Sequence, residues 1–492
     1  MAGLKNAAVY LWQRMRTSRR LARAGFKVGL IVLVCLVVLY SITRAVAFSV
    51  YGAKLDREMA RFEAAGGTTD ISSLTPPAGG RAPRLVMAAG LLIEEPGIPE
   101  PHATSREVER AAKEAEAWKS YRNWPGFSLH RTTPDGEMAT TEWQKEWTQL
   151  LGSYVDGNAT AISLAQEAAR LGEGNFEIEW QAGYDADMRH LSRLRSCARL
   201  LRHAAIAAAA EGDIKAAAEN VRLGFRLSRL IADEPAIISR LVAYACDGIT
   251  FAALQGILEF GAPEADPLRA LMAELEGREG SYGLVRPFIL EIAVGLDAFD
   301  RVSRDPSYIG DLGSSDPRAE RFRRPWPVDA LLDFGIKLVW VEPADRYHYL
   351  RIMNDYIKAA QKGFPEKLEF RAPEFEGRWR EAPFKVMTRM LTPALSKMYL
   401  QQAGLTTRVR LARCVIALTL YHIDHGVYPE SLTALVPDYL DELQMDPFDG
   451  KPLRYERRDS GFAVYSVGQN TTDEGGVQDD HFGENGDIVW ER

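Results

Sequence analysis

The sequence predicts a mainly α-helical chain with three parts: an N-terminal transmembrane helix, an irregular α-helical bundle or solenoid as body, and a small C-terminal α+β module with an antiparallel sheet. Three observations carry this. Val28–Thr43 is an uncharged, apolar run. From Met188 to Phe260 apolar residues recur at steps of three and four, the spacing of one helix face. After Gly426 turn pairs alternate with short strand-like runs.

The apolar run comes first because it divides the chain. At about 1.5 Å per residue it reaches only about 24 Å, and Phe26 together with Ala45–Val50 brings it to spanning length. Lys27 and Arg44 then snorkel towards the two head-group layers. Lys5, Arg14, Arg16, Arg19, Arg20, Arg23 and Lys27 give the first 27 residues seven cations and no acid. With a formal net charge of -7 overall, the rest carries -14. Cations flanking a first apolar segment hold that flank in the cytoplasm, so the acidic bulk is expected outside. The competing reading is a cleaved signal peptide, since Ala45-Val46-Ala47 has the small-x-small form of a processing site. The long basic region favours a retained anchor, and a mature start at Phe48 is what cleavage would produce.

Composition excludes some classes. With 46% hydrophobic and 26% charged residues the chain is globular rather than disordered, and no basic domain suggests a nucleic-acid partner. Cys35 lies in the apolar run. Cys197, Cys246 and Cys414 sit in helical apolar patterns and read as buried and unpaired.

The elements follow in order. Residues 1–25 form a basic cytoplasmic tail, 26–50 the transmembrane helix, 51–104 a helix and Pro/Gly-rich linker, 105–392 the helical body, and 393–492 a long helix plus the α+β module. Lys54–Ala65 continues the anchor helix outward and stops at Gly66-Gly67. Ser105–Ser120 and Thr141–Leu171 are helical. Leu191, Leu194, Ala198, Leu201, Ala205 and Ala208 form one stripe on a helix ending near Glu211-Gly212. Asp213 then caps a helix over Ile214–Ala232, and a third runs over Pro235–Phe260. These alanine-rich helices resemble tetratricopeptide-type hairpins without a strict 34-residue period. Helix continues over Asp266–Leu275 and Leu284–Val302, Arg304–Glu320 is a loop, and helix resumes over Tyr347–Gly363 and from about Pro393 to His425. Arg321–Pro327 interleaves cations with aromatics and reads as a solvated turn, with contact to anionic lipid head groups or a partner as the alternative. Leu331–Val341 is too short to span a bilayer and reads as core.

The terminal module carries a recognisable pattern. Tyr421, Asp424, Gly426, Tyr428 and Pro429 follow a Tyr-x-x-Asp-x-Gly-x-Tyr-Pro sequence. Asp446-Pro447 and Tyr465-Ser466-Val467-Gly468 come later at the expected places. Over about the last 80 residues this resembles the globular domain of the major pseudopilins of type II secretion. The residues agree: Gly426 suits a helix C′ position, Ser431 opens a helix whose Leu432 and Leu435 pack inward, and strands are expected at Leu453–Glu456, Gly461–Ser466 and Asp487–Trp490. The resemblance implies calcium bound in the acidic loop between Gly468 and Gly486, through Asn470, Asp473, Asp479 and Asp480 with the Val467 carbonyl. Oxygen donors on an irregular loop suit that ion.

Two departures set this chain apart from a filament subunit. Gly25-Phe26 resembles the processing pair of that family, yet Leu30 stands where it has Glu. More than 360 residues separate the anchor from the module. The layout also resembles large bacterial membrane-anchored envelope proteins with an alanine-rich helical body, on Leu194-Arg195, Ala198–Leu201 and Glu234–Leu241; this implies architecture and no activity.

His422, Asp424 and His425 also invite a metal or catalytic reading, and a helix-end role explains them without chemistry. No nucleophile triad or phosphate-binding glycine loop can be assembled, so we expect no enzyme. The expectation is a single-pass scaffold or interaction protein of the cytoplasmic membrane facing outward, with unidentified protein partners. An atypical filament subunit is the alternative, and an enzyme built on His422/Asp424/His425 ranks last.

Overall fold

The computed structural model describes residues 34, 35, 37–94, 141–261, 264–305, 308–311, 340, 342–371, 385–392, 395, 397–458, 461–478 and 486–492. These residues are mainly helical, with a small three-stranded antiparallel sheet at the C-terminal end. The chain divides into two units. One comprises Met1–Gly66, Phe299–Ile352 and Phe375–Leu391; the other comprises Gly67–Ala298, Met353–Glu374 and Thr392–Arg492.

Helix α1 covers residues 37–64, and Gly66, at φ +83°, follows its end. Next come α2 (Ile71–Leu74), capped by the Asp70 carboxylate accepting from Ser72 N, and α3 (Ala82–Leu92), with Pro83 in its first turn. The stretch expected as one helix from Thr141 to Leu171 is two, α4 (Thr141–Gly157) and α5 (Ala159–Leu171). They break at Asn158. Its amide accepts from Glu94 N at 2.8 Å and donates to the Glu94 and Tyr154 carbonyls at 2.9 Å each, so backbone groups are satisfied outside the helix ladder.

The alanine-rich body follows the periodicity closely: α6 (Arg189–Ala210), α7 (Ile214–Arg229), α8 (Ile237–Phe260), α9 (Ala265–Leu275) and α10 (Val285–Arg304). Asp213 caps α7 as expected, its carboxylate accepting from Ala216 N at 2.9 Å. A four-residue helix, α11 (Tyr308–Asp311), precedes α12 (Glu342–Ala360), α13 (Val386–Leu391) and α14 (Met398–His425). The segments expected as helix at 105–120, as a cation-aromatic turn at 321–327 and, apart from Trp340, as core at 331–341 lie outside the described residues. So do 26–33 and Leu36 of the expected anchor.

In the larger unit α6 packs on α3, α7 and α8, and α3 also packs on α5. Ala165, Ala168, Ala169, Ala198 and Ala204 let these helices approach closely around Leu194, Leu200 and Leu201. Ile237–Leu258 within α8 is, among the described residues, the stretch long and apolar enough to cross a membrane. It is 67% buried in the protein and carries the buried Arg240 and Asp247. It is therefore a core helix. Cys197, Cys246 and Cys414 are buried and unpaired, and burial pushes the Cys197 and Cys414 thiols up to about 12.

A buried polar knot ties α7, α8 and the 3-10 turn Arg278–Tyr282 together. Arg278 meets Asp247 at 2.6 Å, Tyr282 OH donates to the same carboxylate at 2.7 Å, and Ser228 Oγ donates at 2.5 Å. The guanidinium also lies over the Phe225 ring, 4.7 Å from its centroid.

In the smaller unit Asp345 does similar work. Its fully buried carboxylate accepts from Met387 N at 2.8 Å, Thr388 N at 3.0 Å and Trp340 Nε1 at 2.8 Å. It thereby satisfies first-turn N–H groups of α13, which have no partner within that helix. Burial nevertheless raises its carboxyl above the ordinary range.

At the C-terminal end α14 stops at Gly426, which adopts the left-handed conformation with φ +72° and donates its N–H to the His422 carbonyl at 2.8 Å. Leu432 and Leu435 are buried on a 3-10 turn, as their spacing predicts. β1 (Arg454–Arg458), β2 (Gly461–Ser466) and β3 (Ile488–Glu491) form the sheet in that order, with Tyr455 opposite Val464 and Val464 opposite Trp490. Every residue of β2 is buried, because it is the central strand and α14 packs against it.

Candidate functional site

The acidic loop that joins β2 to β3 is the site the sequence singles out, and its geometry starts at Asp446. Burial raises this carboxyl, while Phe448 N at 3.0 Å, Val467 N at 2.9 Å and Ser466 Oγ at 2.9 Å donate to it; Arg454 adds a contact at 3.1 Å. One carboxylate thus fixes the turn before β1 and the end of β2, from which the loop departs.

Within the loop the Asn470 side chain accepts from Thr472 N at 2.9 Å and donates to Glu474 Oε1 at 2.9 Å. Asp473 accepts from Gly475 N at 3.0 Å and from Tyr465 OH at 3.2 Å, with Arg454 3.5 Å away. Asp487, fully buried at the entry to β3, accepts from Gly476 N at 2.7 Å through Oδ2. Among the described residues its Oδ1 and the Oε2 of Glu474 are buried without a hydrogen-bond partner. Such oxygens are costly in a protein interior. Burial, then the charges of Glu474 and Asp473, raise the Asp487 carboxyl, against the opposing N–H donors of Gly476 and Glu474.

No family model matches the chain, and no curated protein or solved structure matches it.

Of the residues expected to hold calcium, Asn470 and Asp473 lie in this loop, and Asp479 and Asp480 lie outside the described residues. Among the described residues no group of three His, Cys, Asp or Glu side chains is arranged to hold a metal. The donor chemistry still fits a hard cation, since the unsatisfied atoms are carboxylate oxygens and Asn470 and Asp473 stand in the same loop. Asp487 escaped the sequence reading because it stands at the start of a strand and reads as part of it. The available signal was an acid adjoining the inward-facing Val489 and Trp490.

His422, Asp424 and His425 do not converge. His422 stacks on Tyr428 with centroids 4.4 Å apart, His425 stacks on Tyr421 at 4.0 Å, and Asp424 accepts from Tyr439 OH at 2.8 Å. His422 turns to Tyr428, whereas Asp424 and His425 both reach Tyr439, the His425 ring edge-on at 6.4 Å. A second buried cluster, His190 with Glu234, was not singled out by any spacing in the sequence, because 44 residues separate the pair.

Proposed function

We propose that this chain is a single-pass scaffold or interaction protein of the bacterial cell envelope. Residues 26–50 anchor it in the cytoplasmic membrane with the N-terminus inside. The helical body and the C-terminal module face outward and bind other proteins, with secretion or pilus-type machinery as the class of partner. The likeness of the last 80 residues to the type II secretion pseudopilins belongs to this reading.

The observation that carries it is the surface of α1 and the two residues described just before it. Val34, Val37, Val38, Leu39, Tyr40, Ile42, Val46, Phe48 and Val50 are each between 37% and 62% exposed. They occupy every face of the helix rather than one stripe, and a helix that is apolar all round needs an apolar surrounding. Its polar groups suit hydrocarbon: Ser41 Oγ and Thr43 Oγ1 donate to the Val37 and Leu39 carbonyls at 2.8 Å each. Arg44 turns back on Tyr40 OH at 2.7 Å and over the Phe48 ring, an arrangement suited to the head-group boundary.

The loop between β2 and β3 adds a calcium site to this reading, resting on the unsatisfied oxygens of Asp487 and Glu474. Two experiments test the two parts. Alkaline extraction of native membranes should leave the protein in the pellet, and its release would overturn the anchor. Calorimetric titration of the calcium-free protein should give heat of binding at millimolar Ca²⁺ or below, and a flat titration would remove the ion from the account.

A further inference from the structure

His190 opens α6 and is 4% exposed. Its Nε2 lies 3.0 and 3.2 Å from the two carboxylate oxygens of Glu234, which also accept from Ser239 Oγ. A carboxylate only accepts, so Nε2 carries the hydrogen and Nδ1 is the ring nitrogen left for another partner. Among the described residues Nδ1 has no hydrogen-bond partner. The ring is also held from its face by Phe176, with centroids 4.6 Å apart. An imidazole fixed on two sides with one ring nitrogen open is pre-oriented.

This residue lines a cavity of about 400 Å³, within the size range of small-ligand sites. One wall is a backbone crossing: Gly79 N donates to the Asn175 carbonyl at 3.0 Å, and Asn175 N donates to the Gly79 carbonyl at 2.7 Å. Neither Gly80 nor Gly174 tolerates a side chain there. A Cβ on Gly80 would lie 2.6 Å from Gly174 Cα, and one on Gly174 would lie 2.7 Å from the Gly79 carbonyl. The wall is thus bare backbone.

The polar lining has balanced charge, with Arg84 and Arg189 against Glu177 and Asp187. Asp187 engages Arg189 at 2.5 Å, whereas Glu177 lies 3.8 Å from Arg84, too far for a hydrogen bond, so the Arg84 guanidinium keeps donors for a ligand. What the lining offers is planar donors and acceptors side by side, among them His190 Nδ1 and the Asn175 amide. The Phe176 ring and the Met87 and Pro83 side chains supply apolar surface. A neutral ligand with hydroxyls that both donate and accept, and with an apolar ring face, matches that charge-balanced set. We infer that this cavity binds a neutral polyhydroxylated ligand of saccharide class, with His190 Nδ1 hydrogen-bonded to one hydroxyl and Arg84 donating to another. This goes beyond the scaffold reading and does not depend on it.

The test is saturation-transfer NMR on the full chain, solubilised in a detergent without a sugar head group, with glucose, galactose and N-acetylglucosamine as millimolar probes. Transfer to ring protons of at least one sugar is expected. Arg84→Ala removes a side chain that is 77% exposed, so it leaves the fold intact and should weaken binding about tenfold, the loss of one charge-assisted contact. His190→Phe should abolish it. Comparing glucose with maltotriose separates two sources of the same chemistry: tighter trisaccharide binding indicates a polymer, and equal binding a free sugar. No transfer from any of the three monosaccharides overturns the proposal. So does transfer that both variants, folded by circular dichroism, leave unchanged.

Discussion

The backbone N–H of Gly476 donates to Asp487 Oδ2 at 2.7 Å, pinning the tip of the acidic loop to the start of the last strand. Among the described residues Oδ1 of this fully buried carboxylate has no hydrogen-bond partner, which leaves an unpaired acceptor beside Gly476. Burial raises this carboxyl, and the sign of the consequence is fixed. Above the ordinary carboxyl value of about 3.9 the unfolded chain has lost a proton that the native state keeps. The stability contributed by Asp487 is therefore present below that value and falls as pH rises through the raised native one. Asp487→Asn should flatten this fall in calcium-free buffer. It should also abolish the rise in melting temperature that calcium gives the native protein, which at one hundred times Kd corresponds to about 2.7 kcal/mol. Thermal denaturation across pH, with and without calcium, checks both.

Asp446 should be far less tolerant. Replacing it by alanine leaves Val467 N and Phe448 N without their acceptor, and each orphaned buried donor costs about 1–3 kcal/mol. Asp446→Ala should destabilise the protein by more than about 2 kcal/mol by the same measure, and Asp446→Asn, which keeps one acceptor oxygen, by less. Denaturant titration followed by tryptophan fluorescence reads the difference, since Trp490 is buried in the sheet.

The Arg278–Asp247 pair predicts a non-additive pair of variants. Arg278→Met alone strands a carboxylate that is 1% exposed, and breaking such a pair costs about 3–5 kcal/mol. The double variant Arg278→Met with Asp247→Leu should recover most of that loss. Equal loss in the single and double variants would mean that packing rather than charge pairing holds the knot together.

Two glycines should respond in opposite directions to alanine. Gly80, at φ +98° against the backbone of Gly174, should lose about 1–3 kcal/mol on Gly80→Ala. Gly404, inside α14 with nothing within 4 Å of a Cβ, should gain up to about 1 kcal/mol on Gly404→Ala. Melting temperatures of the two variants decide it.

Much of the helical body was legible in the sequence because its signals are local. Apolar spacing set α6 to α9 to within a few residues, and a single aspartate marked the start of α7. The terminal sheet was legible through its turn pairs and through the helix-ending Gly426. What escaped depends on partners far apart in the chain. The break at Asn158 is made by Glu94, 64 residues away. The knot around Asp247 needs Ser228 and Arg278 brought in from two other elements. The His190–Glu234 pair, the glycine crossing beside it and the role of Asp487 likewise have no spacing that announces them. At the candidate calcium loop the residue types were legible, whereas the unsatisfied oxygens exist only once the loop is folded.

The proposed envelope role requires a retained anchor, and the mass of the mature protein from native membranes tests it most directly. We predict an intact N-terminus, with residues 1–50 present on the membrane-bound chain. A chain beginning at Phe48 would contradict the account and describe a released envelope protein. One beginning at Phe26 would contradict it in favour of a processed filament subunit.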